Sequence, residues 1–122
     1  MEVKFFFDTY ALVEITKANP NYLVFTQENI TIIIFNLVEF FSACLKDFGE
    51  EKAKELYNKF KSSVVEIDDE TIFESIKFRQ EHKRKDLSYT DCLGYIFAKR
   101  NNLIFLTGDK EFETFSNVKF VK

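Results

Sequence analysis

Hydrophobic and polar positions alternate between two periods along this chain. Val3 to Phe7 is a continuous apolar run closed by Asp8, the pattern of a buried strand. A helical stretch from Thr9 to Thr16 follows, and Asn19 and Pro20 close it. Ile30 to Phe35 is rich in β-branched residues and apolar on both faces, which predicts a second buried strand. From Asn36 the period changes to that of a helix: Leu37, Phe40, Phe41, Cys44, Leu45 and Phe48 form one stripe, and Gly49 supplies the stop.

Glu50 to Lys61 reads as a charged helix, and Val64 to Ile67 as a third, short strand. Asp69 is placed to cap a helix through about Arg84 whose apolar face is Ile72, Phe73 and Ile76. Ser88 opens the next helix, with Tyr89, Cys92, Leu93, Ile96 and Phe97 at helical spacing, closed by Asn101 and Asn102. Leu103 to Leu106 predicts a fourth strand and Val118 to Val121 a weaker fifth. Strands that alternate with helices predict a three-layer α/β/α domain with a mainly parallel central sheet of about five strands. At 122 residues the chain has room for one such domain, spanning 1–122.

Composition sharpens this reading. Phe and Tyr number 16 and 5, enough aromatic bulk for a large core, whereas Gly and Pro number only 3 and 1. So few turn formers exclude a linker, a collagen-like repeat or a disordered tail, and disfavour an all-β sandwich. The most apolar stretch, Ile30 to Leu45, is interrupted by Thr31, Asn36, Glu39 and Ser42 and falls short of a membrane span of about 20 residues. Asp8 breaks the apolar N-terminal run, so no secretion signal is expected. Cys44 and Cys92 lack metal-type spacing and are expected as buried, reduced thiols of a cytoplasmic protein.

Net charge is −3 but unevenly spread. Lys77, Arg79, Lys83, Arg84 and Lys85 stand against Glu81 alone, so this segment carries +4 on an otherwise acidic chain. It is either a solvated helix end that complements the C-terminal dipole or a strip that steers a polyanion.

The acids carry the candidate chemistry. In parallel sheets ligands sit beyond the carboxyl ends of the strands, and Asp8 and Asp109 end the first and fourth. Each could equally cap the helical turn after it. Glu39 lies opposite the apolar stripe of its helix beside small Ser42 and Ala43. Asp91 lies off its stripe beside Gly94 and Ala98, and also completes a capping-box pattern, Ser88-x-x-Asp91. Together, four acids from two strand ends and two helix starts could converge on one cleft. Mutual repulsion would then raise their pKa values unless a cation sat among them, and hard oxygen donors suit Mg²⁺ or Mn²⁺. A single histidine and no paired cysteines exclude a zinc site of the usual kind. His82 reads as a surface residue.

The blocks Phe7-Asp8-Thr9-Tyr10-Ala11-Leu12, Asn36-Leu37-Val38-Glu39-Phe40, Leu87-Ser88-Tyr89-Thr90-Asp91-Cys92 and Leu106-Thr107-Gly108-Asp109-Lys110-Glu111-Phe112 resemble, in order and spacing, those of PIN-domain ribonucleases, and among them the VapC-type toxins of prokaryotic toxin–antitoxin pairs. The resemblance implies a metal-dependent endoribonuclease that hydrolyses RNA with a metal-activated water. It implies Asp8, Glu39, Asp91 and Asp109 as holders of Mg²⁺ or Mn²⁺, with Thr107 and Thr9 in support. It also makes Lys77, Arg79, Lys83, Arg84 and Lys85, with Lys99 and Arg100, a candidate track for the RNA backbone. The partners it implies are an RNA substrate, a small antitoxin protein and a second copy of the chain. Two other readings compete. An inactive PIN-like module would bind metal, RNA or protein without cleavage. A phosphoacceptor signalling domain would need an acidic pair after the first strand, where Asp8 stands alone.

Overall fold

The structure is a computed structural model that describes residues 3–122. Three strands form a parallel sheet: β1 (Phe5–Phe7), β2 (Ile104–Thr107) and β3 (Val118–Phe120), in that spatial order, with Phe6 opposite Phe105 and Leu106 opposite Lys119. The helices are α1 (Thr9–Thr16), α2 (Ile34–Phe48), α3 (Glu50–Phe60), α4 (Asp69–Glu81) and α5 (Tyr89–Arg100), joined by a 3₁₀ segment over Pro20–Gln27 and shorter 3₁₀ turns.

Two of the five expected strands are reduced to single bridges. Ile32 pairs in parallel with Val64, and the Phe7 N–H donates to the Thr31 carbonyl at 3.0 Å, so both segments extend the sheet beyond β1. The full order is therefore 64–32–β1–β2–β3. The expected strand over Ile30–Phe35 is short because α2 begins at Ile34. The Asn36 side chain accepts from the Ile33 N–H at 3.1 Å and caps the helix there, which takes that N–H out of the ladder. At Val64–Ile67 only Val64 and Val65 reach the ladder, with the Val65 N–H donating to Ile32 O at 2.8 Å.

Neighbouring strand residues point to opposite faces, so each pair feeds two cores. Phe7, Ile32 and Leu106 pack with Leu12, Tyr22, Phe40 and Phe60 beneath α1, α2 and α3. Phe6, Ile33 and Phe105 pack with Leu93, Tyr95, Ile96 and Phe112 beneath α5. This is the expected three-layer α/β/α arrangement. Gly94 is where α5 meets the sheet most closely: a Cβ there would press on the Phe6 ring.

Two expectations for α4 are corrected. Its N-cap is Asp68, not Asp69: the Asp68 carboxylate accepts from the Thr71 N–H at 2.9 Å and the Thr71 hydroxyl at 2.7 Å. Its apolar residues Ile72, Phe73 and Ile76 are exposed, and the residues it buries are Thr71 and Ser75. Both hydroxyls are satisfied locally, Ser75 donating to Thr71 O at 2.6 Å, so burying them carries no unpaired polar group and lets α4 lie close to α5. The helix also ends at Glu81, before the basic residues 83–85.

Candidate active site

Three of the four acids of interest are placed by element ends, and the fourth by the second turn of a helix. Asp8 follows β1 and is the N-cap of α1, accepting from the Ala11 N–H at 2.8 Å. Asp91 sits in the first turn of α5 and exchanges hydrogen bonds with Ser88, each 3.0 Å, closing the capping box. Asp109 follows β2 and accepts from the Glu111 N–H at 3.0 Å. Glu39 projects from α2 and accepts from the Thr9 hydroxyl at 2.7 Å. Asp8, Asp91 and Asp109 are thus all caps, as one reading of the sequence had it. In Glu39, Asp91 and Asp109 the cap or hydroxyl bond uses one carboxylate oxygen, and the other has no protein partner among the described residues.

They are also neighbours. Asp8 is buried, and burial pushes its carboxyl up to about 7, with the charges of Asp91 and Asp109 adding to the rise against the hydrogen bonds from Thr107 and Ala11. Asp91 is raised for the same first reason, burial, and then by Asp109 and Glu39, against the hydrogen bonds with Ser88. Asp8 and Asp91 therefore each feel two other acids of the set.

Thr107 and Thr9 each bond a residue of the acid set. The fully buried Thr107 hydroxyl accepts from the Asp109 N–H at 3.0 Å, and its nearness to Asp8 opposes the rise that burial gives that carboxyl. Thr9 donates to Glu39 and accepts from Asn36 Nδ2 at 3.2 Å. Asn36 is a residue sequence reasoning missed. It is buried, and one side chain both caps α2 and holds Thr9. Its signal was a lone amide on an otherwise apolar helical stripe, one turn before Glu39. Gly108 has a similar hidden role: the Tyr10 ring lies against its backbone where any Cβ would collide, which fixes the turn between Thr107 and Asp109.

The basic residues divide. Lys85 reaches the site's rim, 3.9 Å from Glu111, two residues beyond Asp109. Arg79, Lys83 and Lys85, with Gln80 and Leu87, line a small cavity of about 80 Å³ beside the α4–α5 connection. Lys77, Lys83 and Arg84 are exposed and make no ion pair among the described residues. Arg100, by contrast, is at the far end of α5 from Asp91, paired with Glu74 at 2.7 Å and Asp68 at 3.8 Å, and Lys99 lies over the Tyr95 ring. These two are not brought to the acids. His82 is not a free surface residue either: its ring stacks on Phe78 at 4.2 Å and its Nδ1 meets the Phe78 carbonyl.

The PIN domain family profile matches residues 5–118. The chain belongs to the PIN domain family. Solved structures share its fold along almost its whole length. A chain of a toxin–antitoxin complex from Klebsiella pneumoniae superposes with TM-score 0.74 at 20% identity, covering 95% of this chain and 96% of that one. VapC20 of Mycobacterium tuberculosis, a sarcin–ricin loop cleaving toxin, gives 0.75 at 13%, with 93% and 95% covered. VapBC2 from Rickettsia felis, bound to a DNA fragment from its promoter, gives 0.72 at 20%, with 98% and 100% covered. No curated protein matches the sequence. No helix among the described residues of this PIN domain is long and apolar enough to cross a membrane.

The donor set fits a hard divalent cation by its chemistry: four carboxylates, mutually repelling, three of them with an oxygen unengaged. Among the described residues no group of three or more His, Cys, Asp or Glu side chains is gathered closely enough to hold a metal ion.

Proposed function

We propose that this PIN domain is a metal-dependent endoribonuclease of the VapC type, with Asp8, Glu39, Asp91 and Asp109 as the acids that hold Mg²⁺ or Mn²⁺. The observation that carries the reading is the burial of Asp8 among carboxylates of the same sign, at the carboxyl ends of two parallel strands. A fold that needed only helix caps would have no reason to bring these negative charges together. A divalent ion, when bound, would supply Lewis acidity, activating a water and neutralising charge on the phosphodiester.

The chain's own residues do the rest. Backbone N–H groups of Ala11 and Glu111 orient Asp8 and Asp109 from one side, and Ser88 orients Asp91. Thr107 anchors the Asp109 backbone, and the Asn36–Thr9 pair aims Glu39. Lys85, and Lys83 with it, place positive charge at the rim on the α4–α5 side for the phosphates. Arg100 and Lys99 are left out of this track, since Arg100 is paired at the opposite end of α5.

The fold neighbours come from toxin–antitoxin systems, and we extend that setting to this chain: a small antitoxin covering the acid cleft, and a homodimer. Ile34, Val38, Phe41, Leu45 and Phe48 form an apolar stripe down α2 with all but Phe41 exposed, a surface that suits a protein partner.

Cleavage of end-labelled single-stranded and structured RNA by purified protein tests the enzyme directly. Cutting in Mn²⁺ or Mg²⁺, abolished by EDTA and by Asp91→Asn with the fold intact, is the expected result. Equal cutting by wild type and variant would place the activity elsewhere.

A further inference from the structure

We propose that Tyr89, backed by Arg79, is a platform on which an unpaired nucleobase of the RNA stacks beside the acid site. This rests on the ribonuclease reading and names what it does not: how the enzyme holds its substrate's bases.

Tyr89 sits at helical spacing with Cys92, Leu93 and Ile96, which are all buried, yet it is itself 58% exposed. It is the first residue of α5, one position after the Ser88 cap and two before Asp91. One side of its ring is occupied. The Arg79 guanidinium, from the last turn of α4, lies 4.1 Å from the ring centroid. Arg79 is not a loose surface cation: its Nε donates to the Leu87 carbonyl at 2.9 Å, so α4 holds the guanidinium against the loop that leads into α5. The free face of Tyr89 is left open to solvent.

A lone exposed tyrosine needs no explanation. A tyrosine with a fixed guanidinium behind it is different. The cation rigidifies the ring in advance, so a base stacking on the open face pays little further ordering cost. Base–aromatic stacking of this kind is tolerant of base identity and demands an unpaired nucleotide. Phosphate contacts are at hand: Lys83 and Lys85 line the cavity that Arg79 also borders, and Lys85 continues to Glu111 at the acid rim. Tyr89 and Asp91 project from different sides of one helical turn. The stacked base therefore belongs to a nucleotide near the scissile phosphate and not to the reacting one. Tyr89 is accordingly a substrate-positioning residue and contributes no reacting group.

The test is binding of a fluorescein-labelled single-stranded RNA octamer in EDTA, where no cleavage occurs, to wild type, Tyr89→Phe and Tyr89→Ala. Thermal denaturation confirms that each variant is folded. Tyr89→Ala is expected to weaken binding about tenfold, with Tyr89→Phe close to wild type. An abasic site walked along the octamer should cost wild type a similar factor at one position and cost Tyr89→Ala nothing further there. Unchanged affinity in Tyr89→Ala overturns the proposal, as does equal loss in Phe and Ala, which would point to the hydroxyl and not to stacking. A change of oligomeric mass in Tyr89→Ala without a change in RNA affinity also overturns it and makes this face a protein contact. RNA binding that depends on Tyr89 without any metal-dependent cleavage would keep the platform and sink the ribonuclease reading, whereas no RNA binding by wild type alongside metal-dependent cleavage sinks the platform alone.

Discussion

Asp8 spends one carboxylate oxygen on the Ala11 N–H and is nonetheless pushed up to about 7 by burial and by Asp91 and Asp109. An acid whose folded pKa lies above its ordinary value near 3.8 binds its proton more tightly folded than unfolded. Its contribution to stability is therefore full below about pH 4 and lost as pH rises through about 7, amounting to about 4 kcal/mol at most. Metal-free protein should melt at lower temperature at pH 8 than at pH 5. Asp8→Asn keeps a capping oxygen and removes the charge, so its melting temperature in EDTA at pH 8 should equal or exceed wild type. Its RNA cleavage should fall about 100-fold or more, since even outer partners of metal ligands are worth 10–100-fold. A variant both less stable and fully active would mean that Asp8 is only a cap. The places of Asp8, Asp91 and Asp109 in the fold were legible in the sequence because strand ends and helix starts are visible in the hydrophobic pattern. Asn36 was not, because its role depends on Thr9, 27 residues away, a pairing only the tertiary fold creates.

Capping decides more at the element scale than propensity does. α5 is opened by a box in which Ser88 and Asp91 hold each other's backbone N–H. Ser88→Ala should cost about 1 kcal/mol in chemical denaturation and leave cleavage largely intact, because the bond that aims the Asp91 carboxylate comes from the Ser88 backbone N–H, which Ala keeps. Cleavage that falls along with stability would contradict this. The Asn36 cap ends the second strand early, and local side-chain competition of this kind is invisible to a count of β-branched residues. In α4 the apolar positions Ile72, Phe73 and Ile76 misled in the opposite way. Periodicity reports that a helix has an apolar face but not which neighbour takes it, and here the tight packing on α5 went to Thr71 and Ser75. The strands buried on both sides were read correctly for the converse reason: Phe6 and Phe7, or Phe105 and Leu106, are apolar whichever face they meet.

Across the whole molecule, Asp8 and Asp109 lie at the strand ends while an exposed apolar surface runs along α2. Ile34, Val38, Phe41, Leu45 and Phe48 recur at alternating spacings of four and three, the seam of a helix that expects a second helix. Light scattering of the purified chain should give the mass of a dimer, and Val38→Asp, at an exposed position, should give a folded monomer whose melting temperature, unlike that of wild type, does not rise with protein concentration. A dimer that survives the substitution would assign the stripe to another partner. The charge asymmetry seen in the sequence survives folding only in part: Lys85 reaches Glu111 beside Asp109, whereas Arg100 is neutralised at the other end of α5. Linear charge runs show where cations lie along a chain, and helix length and direction decide which of them face the site.

The central claim, that four carboxylates of this PIN domain jointly hold a divalent ion, is tested most directly by titrating metal-free protein with Mn²⁺ at pH 8 and following the bound ion by electron paramagnetic resonance. Wild type should bind saturably, and Asp8→Asn and Asp91→Asn should each weaken binding at least about tenfold while remaining folded. Equal Mn²⁺ affinity in all three proteins would contradict the claim and leave Asp8 and Asp91 as helix caps.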